Sequence, residues 1–373
     1  MRCIPLIVQI VLLATAAYAA DVSVFVGTYT NAQSKGIYSL LFDQASGKLS
    51  PPTLAAESDS PSFLAMDPTG RYVYAANEHP SGPANAPGTV SAFAVDGSKL
   101  KLINIVSSRG GGPCHVAVDR TGHWLFVANY GSGSVAAFPI QANGGLGEAS
   151  SFFQHTVTSV EPRQKGPHAH MVVLSPDNRF LLVADLGGDR VFVYRFDERS
   201  GKLTLNNPPG GVLTPGSGPR HIAFSRDGKL LYVLNELKDT VTTFHWDASK
   251  GTLESADTLS ALPAAYTGPK SGAEIEVHPS GKFLYTSNRG HDSIAIFAIA
   301  ADGKLTASGH EPTRGKTPRN FTIDPGGKFL LAANQDSSTI AVFRIDEKTG
   351  KLTPAGDPVA VPNPVAILFP PRR

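Results

Sequence analysis

One phrase recurs along the chain. Its clearest copy is GPRHIAFSRDGKLLYVLNE, residues 218 to 236, which reads as a short apolar strand, a tight turn at Gly228, and a second apolar strand ending on a polar pair. The same phrase surrounds Gly70 (MDPTGRYVYAANE), Gly122 (VDRTGHWLFVANY), Asn178 (LSPDNRFLLVADL), Gly281 (VHPSGKFLYTSNR) and Gly327 (IDPGGKFLLAANQ), so six copies stand 46 to 56 residues apart. A second marker, a Gly-Lys-Leu-like hairpin, falls between them seven times, at Leu49, Leu100, Leu146, Leu203, Leu253, Leu305 and Leu352. The missing seventh copy of the first phrase is divided between the chain ends. PVAILFP (364–370) matches its first strand and VFVGTY (24–29) its second. Repeats of this length carrying several short strands mark propeller blades. The expected fold is all-β: a seven-bladed β-propeller of four-stranded antiparallel blades, with one blade closed by both termini so that the ring has no open edge. An open solenoid would need polar capping repeats, and the end repeats are apolar.

The first residues are of another kind. In MRCIPLIVQIVLLATAAYAA, Arg2 precedes an apolar run from Ile4 to Leu13 and then small residues ending Ala17-Tyr18-Ala19. That pattern is expected for a signal peptide over 1–19, leaving 20–373 as the propeller. The run is short for a span of ~20 residues, so a periplasmic or secreted protein free of the membrane is expected after cleavage. Cys3 would leave with the leader, so Cys114 has no intrachain partner. A net charge of +2 with scattered charges offers no basic stripe for nucleic acid and no polybasic membrane patch. A small-molecule partner and a monomer are expected. No HExxH, CxxC or Asp-rich calcium loop suggests a metal, and no cofactor is called for.

In the Gly228 register the strands are expected at Ile222 to Phe224, Leu230 to Leu234, Thr240 to Trp246 and Leu253 to Thr258. Antiparallel neighbours alternate direction, so the Asp-x-Gly turns and Gly-Lys-Leu hairpins share one end of the ring. The longer loops, His79 to Gly88, His155 to His168, Pro263 to Gly272 and His310 to Thr317, gather at the other. Loops that vary while the scaffold stays regular are where function is grafted.

Counting from each turn marker gives equivalent positions at that mouth. The position of Arg220 is Ser62, Cys114, His170, Ala273 and Arg319 in the other copies. That of His221 is Phe63, His115, Met171, Glu274 and Asn320. That of Glu236 is Glu78, Tyr130, Leu186, Arg289 and Gln335, with Tyr29 in the shared blade. The preceding column is nearly uniform (Asn77, Asn129, Asp185, Asn235, Asn288, Asn334) and reads as turn residues bonding their own backbone. The other three columns vary and mix ionisable types. His170, Arg220, Glu236 and Arg289 are therefore the candidate catalytic set, against the alternative of solvated rim charges paired between blades. His115, His168, His221, Glu274, His291 and Arg319 form a wider ring for binding and orientation. Cys114 reads as a small buried space-filler. The cationic balance implies a carboxylate or phosphate on the ligand, held by guanidinium forks. Glu236 beside Arg220 is expected to stay ionised as a base, and His170 to serve as acid or second proton carrier.

At these residues the chain resembles the lactonase family of seven-bladed propellers, among which are 6-phosphogluconolactonases and the 3-carboxy-cis,cis-muconate lactonising enzyme. The resemblance spans nearly all of the chain after the leader and is carried by FVGTYT (25–30), GGGPCHVAVD (110–119), LFVANYGSGSV (125–135), GPRHIAFSRDG (218–228), LYVLNE (231–236) and LYTSNRGHDSIAIF (284–297). It implies a lactonase that opens a small anionic sugar-type lactone, or alternatively a carboxymuconate-type lactonising enzyme (cyclase) that closes a lactone ring onto an alkene, with a His, an Arg, a Glu and a second Arg falling on His170, Arg220, Glu236 and Arg289. The leader sets the chain apart from a cytoplasmic enzyme for phosphorylated sugars. A non-catalytic exported propeller that binds a surface partner is the alternative from a different class, since propellers host both.

Overall fold

The computed structural model describes residues 21–31, 33–78 and 87–371. The expected leader and most of the His79–Gly88 loop lie outside them. Within them the chain forms seven antiparallel sheets in a ring. The innermost strands are Pro61–Met66, Pro113–Val118, Ala169–Leu174, Pro219–Phe224, Gly272–Val277, Pro318–Ile323 and Pro364–Leu368. The last belongs to the shared blade, where Pro364–Leu368 pairs with Val22–Thr28 through Phe25↔Leu368 and Val26↔Ile367. Among the described residues the one helical element is a 3-10 turn at Pro162–Gln164.

The second strand of each copy shows why the phrase reads as an unbroken apolar run. All six residues of Leu230–Asn235 are buried, because the strand has a blade on either side. Leu231 and Val233 join a core with Leu182, Ala184 and Phe244, while Tyr232 and Leu234 join another with Leu284, Phe297 and Leu305 of the following blade. The hairpin leucines are therefore wedges between blades. The hairpin backbone also takes up the tyrosine hydroxyls. Tyr74 donates to Gly144 O (3.0 Å), Tyr232 to Gly303 O (2.9 Å) and Tyr285 to Gly350 O (2.8 Å), each in the next blade's hairpin. The two sequence markers are thus the two halves of one inter-blade contact.

The tight turns need a left-handed residue. Gly70, Gly122, Gly228, Gly281 and Gly327 have φ from 69° to 74°, and Asn178 takes the same place at 63°. Asparagine tolerates this conformation best among side-chain-bearing residues, and here its Nδ2 donates to Asp119 Oδ2 of the preceding blade (3.1 Å). These turns occupy one end of the ring and leave the other to the site.

The polar column departs from expectation. Asn129 Nδ2 donates to Ser108 O, Asn288 Nδ2 to Ala261 O and Asn334 Nδ2 to Thr313 O, in each case chain arriving from the preceding blade. Asn77 likewise reaches Asp59 O (2.8 Å). In these four blades the column fixes entry of the chain, whereas Asn235 bonds Thr240 and Thr242 of its own blade and Asp185 accepts from its own turn at Gly188. His310, expected at the start of a loop, lies within the strand Leu305–Pro312 and pairs with Ala295.

Candidate active site at the channel mouth

A backbone irregularity repeated around the ring builds the mouth. Every inner strand from the first blade to the sixth carries a register shift at the same place: Pro61/Phe63, Pro113/His115, Ala169/Met171, Pro219/His221, Gly272/Ile275 and Pro318/Asn320. Ser62, Cys114, His170, Arg220 and Arg319 are the extra residues of these bulges, and a bulge re-aims a side chain that regular pairing would send between blades. The two variable columns exist because of it.

Glu236, which directly follows the strand Leu230–Asn235, stands at the centre of the upper layer. Its Oε2 is 3.1 Å from Arg220 Nε and 3.1 Å from Arg289 Nη2, and its Oε1 accepts from Arg163 Nη1 at 2.7 Å. Glu236 and Arg220 are buried, so they are not solvated rim charges. Backbone carbonyls complete the cluster: Arg220 Nη1 donates to Ala273 O, and Arg289 to Ser271 O (3.3 Å) and Gly272 O (3.2 Å). Burial alone would raise the Glu236 pKa, but Arg289, Arg220 and Arg163 together hold it down at about 2. Burial and the neighbouring Arg289 and Arg319 push Arg220 down to about 10, which leaves it protonated at neutral pH.

Arg163 was not singled out by the repeat. It sits on the 3-10 turn Pro162–Gln164, half exposed, and its Nη2 donates to Tyr130 OH (2.8 Å). The turn is pinned from below, where buried Gln164 donates to Leu186 O (2.8 Å) and Asp189 Oδ1 (2.9 Å). Only its place in the variable 155–168 loop hinted at it.

Across the mouth, Tyr29 OH donates to Glu78 Oε2 (2.8 Å), Arg319 lies 3.9 Å from the same oxygen, and its guanidinium covers the Tyr29 ring at 5.2 Å. The upper layer therefore sets Arg163, Arg220, Arg289 and Arg319 against two carboxylates, Glu236 and Glu78. His170 packs between the Tyr130 ring (5.4 Å) and His221 (5.2 Å). Burial first, then Arg220 and the other cations, depress its pKa well below the usual imidazole value. Cys114 is buried, donates to His170 O (3.2 Å), and has its pKa raised by burial, as a space-filler would.

These surroundings oppose two expected roles. Three guanidiniums keep the Glu236 carboxyl ionised, as expected, and a carboxyl held at about 2 is a weak proton acceptor. A histidine kept neutral by burial can accept a proton, but at neutral pH it has none in excess to give as an acid.

Beneath lies a floor made by the His221 column. His115 packs against Phe63 with the rings tilted by 30° (3.9 Å) and meets His221 edge-on (5.5 Å). His221 Nδ1 is 2.7 Å from Glu274 Oε1, and Asn320 Nδ2 donates to Glu274 Oε2 (2.6 Å). His168 stands at the rim, stacked on Tyr130 (4.4 Å) with its Nδ1 donating to Tyr130 O (2.8 Å). Of the ten candidates, His291 is set apart. It follows the second strand of the fifth blade, and its contacts are with Ser293 (2.6 Å), Tyr266 (4.8 Å) and His310 (5.7 Å). It belongs to the loop layer between two blades. Among the described residues no three His, Cys, Asp or Glu side chains are grouped to hold a metal ion.

The fold and mouth define a seven-bladed propeller with buried guanidiniums clustered at one end of its channel. The profile of the family described as Lactonase, 7-bladed beta-propeller matches residues 23–369. The chain belongs to that family and is a lactonase. It is 35% identical over 348 residues to a 6-phosphogluconolactonase of Bacillus subtilis, covering 92% of this chain and 97% of the relative. It is 37% identical over 339 residues to a 6-phosphogluconolactonase of Formosa agariphila, covering 88% and 94%. A periplasmic gluconolactonase of Pseudomonas aeruginosa superposes with a TM-score of 0.89 at 34% identity, over 94% of this chain and 99% of that one.

Proposed function

We propose that this lactonase hydrolyses a small sugar-type lactone bearing a carboxylate, a phosphate or a dense array of hydroxyls, as a 6-phosphogluconolactonase-like enzyme. The observation that carries this is the buried Glu236 held between Arg220 and Arg289 at 3.1 Å each. It keeps two guanidiniums charged and fixed in the upper layer of the mouth, ready to hold an anionic group and to stabilise the oxyanion that forms when water adds to the lactone carbonyl. His170, neutral beside them, supplies a hydrogen bond to the ring, and His115, His168 and Arg319 line its approach. The leader pattern at 1–19 suits an exported enzyme, and one relative is described as periplasmic. An exported member would meet unphosphorylated aldonolactones. The test is acid release in a pH-stat from a panel of phosphorylated and unphosphorylated aldonolactones. Turnover of at least one, lost in Arg289→Ala, is expected. No turnover of any panel member by the folded protein would overturn the reading.

A further inference from the structure

The floor under the guanidiniums contains a hydrogen-bond chain that determines where one proton lies. The Ile367 amide, in the closing strand, donates to Asn320 Oδ1 (2.9 Å). Asn320 must then present its NH2 group to Glu274 Oε2 (2.6 Å). Glu274 Oε1 accepts from the Ile275 amide (3.0 Å) and meets His221 Nδ1 at 2.7 Å. A carboxyl that already receives two N–H groups is ionised, and burial's upward push on it is outweighed, chiefly by His221. The proton of the His221 contact therefore sits on Nδ1, and Nε2 carries the lone pair. That Nε2 is buried and has no hydrogen-bond partner among the described residues. The His221 ring has His170 at 5.2 Å, His115 at 5.5 Å and Phe63 at 6.0 Å by ring centres.

Each imidazole at the mouth can be asked what would happen if it took a proton. At His170 the cation would face Arg220, Arg319 and Arg289 with no carboxylate on it. At His115 it would face His221 and Arg220 from a ring packed against Phe63. His168 has its Nδ1 committed to a carbonyl. At His221 burial lowers the pKa, and the charged neighbours are Glu274 from the fifth blade, which opposes that fall and is in hydrogen-bond contact, and Arg220 from its own strand and Arg319 from the sixth, which add to it. His221 alone has an ionised partner ready to stabilise the imidazolium.

We propose that His221, oriented and charge-compensated by Glu274, is the general base that activates the water in lactone opening. This rests on the hydrolytic reading above. As the water oxygen bonds to the carbonyl carbon, its proton passes to Nε2, and the carbonyl oxygen becomes an oxyanion facing Arg220 and Arg289. The C–O bond to the ring oxygen then breaks, and that oxygen takes the proton back from Nε2. One water is consumed, one hydroxy acid forms, and the imidazole is regenerated. Glu274 and Asn320 are positioning residues acting through His221.

The test uses the whole protein and the aldonolactone it turns over fastest. His221→Asn should lower kcat/KM by about 10²-fold or more. Glu274→Gln should also move the acid limb of the pH profile to lower pH, because the charge that favours the imidazolium is gone. A purely structural role for Glu274 would lower the rate and leave the limb in place. Nitrogen-15 histidine spectra of the wild type should include, besides that of His168, an Nδ1–H imidazole that is lost in His221→Asn or shifted in Glu274→Gln and that titrates with the midpoint of the kinetic limb. The base assignment is overturned if a folded His221→Asn keeps more than a tenth of wild-type kcat/KM, if the limb does not move in Glu274→Gln, or if no imidazole titrates with it. If the wild type opens no lactone, the hydrolytic reading itself fails first and this one falls with it.

Discussion

Replacing Glu236 by Gln keeps the shape of the side chain and removes the charge that three guanidiniums share. The folded-state pKa is lowered from 4.5 to about 2. That drop corresponds to about 3 kcal/mol of stabilisation by the ionised form, at ~1.4 kcal/mol per unit. Removing one partner of a buried ion pair costs ~3–5 kcal/mol, which agrees in scale. The sign follows from a depressed carboxyl. Its contribution is complete above the unfolded value of 4.5 and is lost as pH falls from there through about 2. The stability gap between wild type and Glu236→Gln should therefore be near ~3 kcal/mol at pH 7 and narrow as pH falls through about 2, where the wild-type carboxyl takes up its proton. Urea unfolding followed by the fluorescence of Trp124 and Trp246 at pH 7, 5 and 3 measures it. Sulfate should stabilise the variant more than the wild type, by supplying the anion that Arg220 and Arg289 have lost. A gap under ~1 kcal/mol at pH 7, or one that stays constant between pH 5 and 2.5, would refute the account of Glu236 as the counter-charge of this cluster.

Arg163→Ala removes a half-exposed guanidinium from Glu236 and Tyr130. It should raise KM about tenfold with little change in kcat, the scale of one charge-assisted hydrogen bond, and steady-state kinetics would show it. Cys114, buried with a raised pKa, should resist iodoacetamide at pH 8 in the native protein, and mass spectrometry of the intact chain reports any adduct. Deleting 364–373 strips buried Val365, Ala366 and Ile367 from the closing strand. The loss is of order 5 kcal/mol, comparable with the whole stability of a domain, so a cooperative melt should disappear in scanning calorimetry. Asn178→Ala leaves a β-carbon at φ 63° without the bond to Asp119 and should lower the urea midpoint by the equivalent of ~1–2 kcal/mol.

What the chain discloses by itself is what it repeats. The blade count, the shared blade and the end bearing the site follow from Gly228 and its equivalents, because a turn needing a left-handed residue and a strand buried on both faces leave the same mark six times and the chain ends supply the strands of the seventh blade. The site shows in the same register as the place where the mark fails, and the bulges explain why the failure falls at Arg220 and His221 together. Chemical roles are less legible. Glu236 beside one arginine reads as an ionised base, but beside three it becomes the counter-charge of a cation cluster, and the third arrives from 73 residues away in sequence. Arg163 belongs to no column, since the 155–168 loop is an insertion in one blade and a register count has nothing to compare it with. His291 shows the converse. It lies two residues beyond Arg289 in the same motif, yet the turn at Gly290, φ 95°, carries it away from the channel to Tyr266 and His310. A repeat specifies the backbone positions from which side chains can converge. Which of them do converge is decided by non-repeating loops and by charges that meet only once the ring has closed.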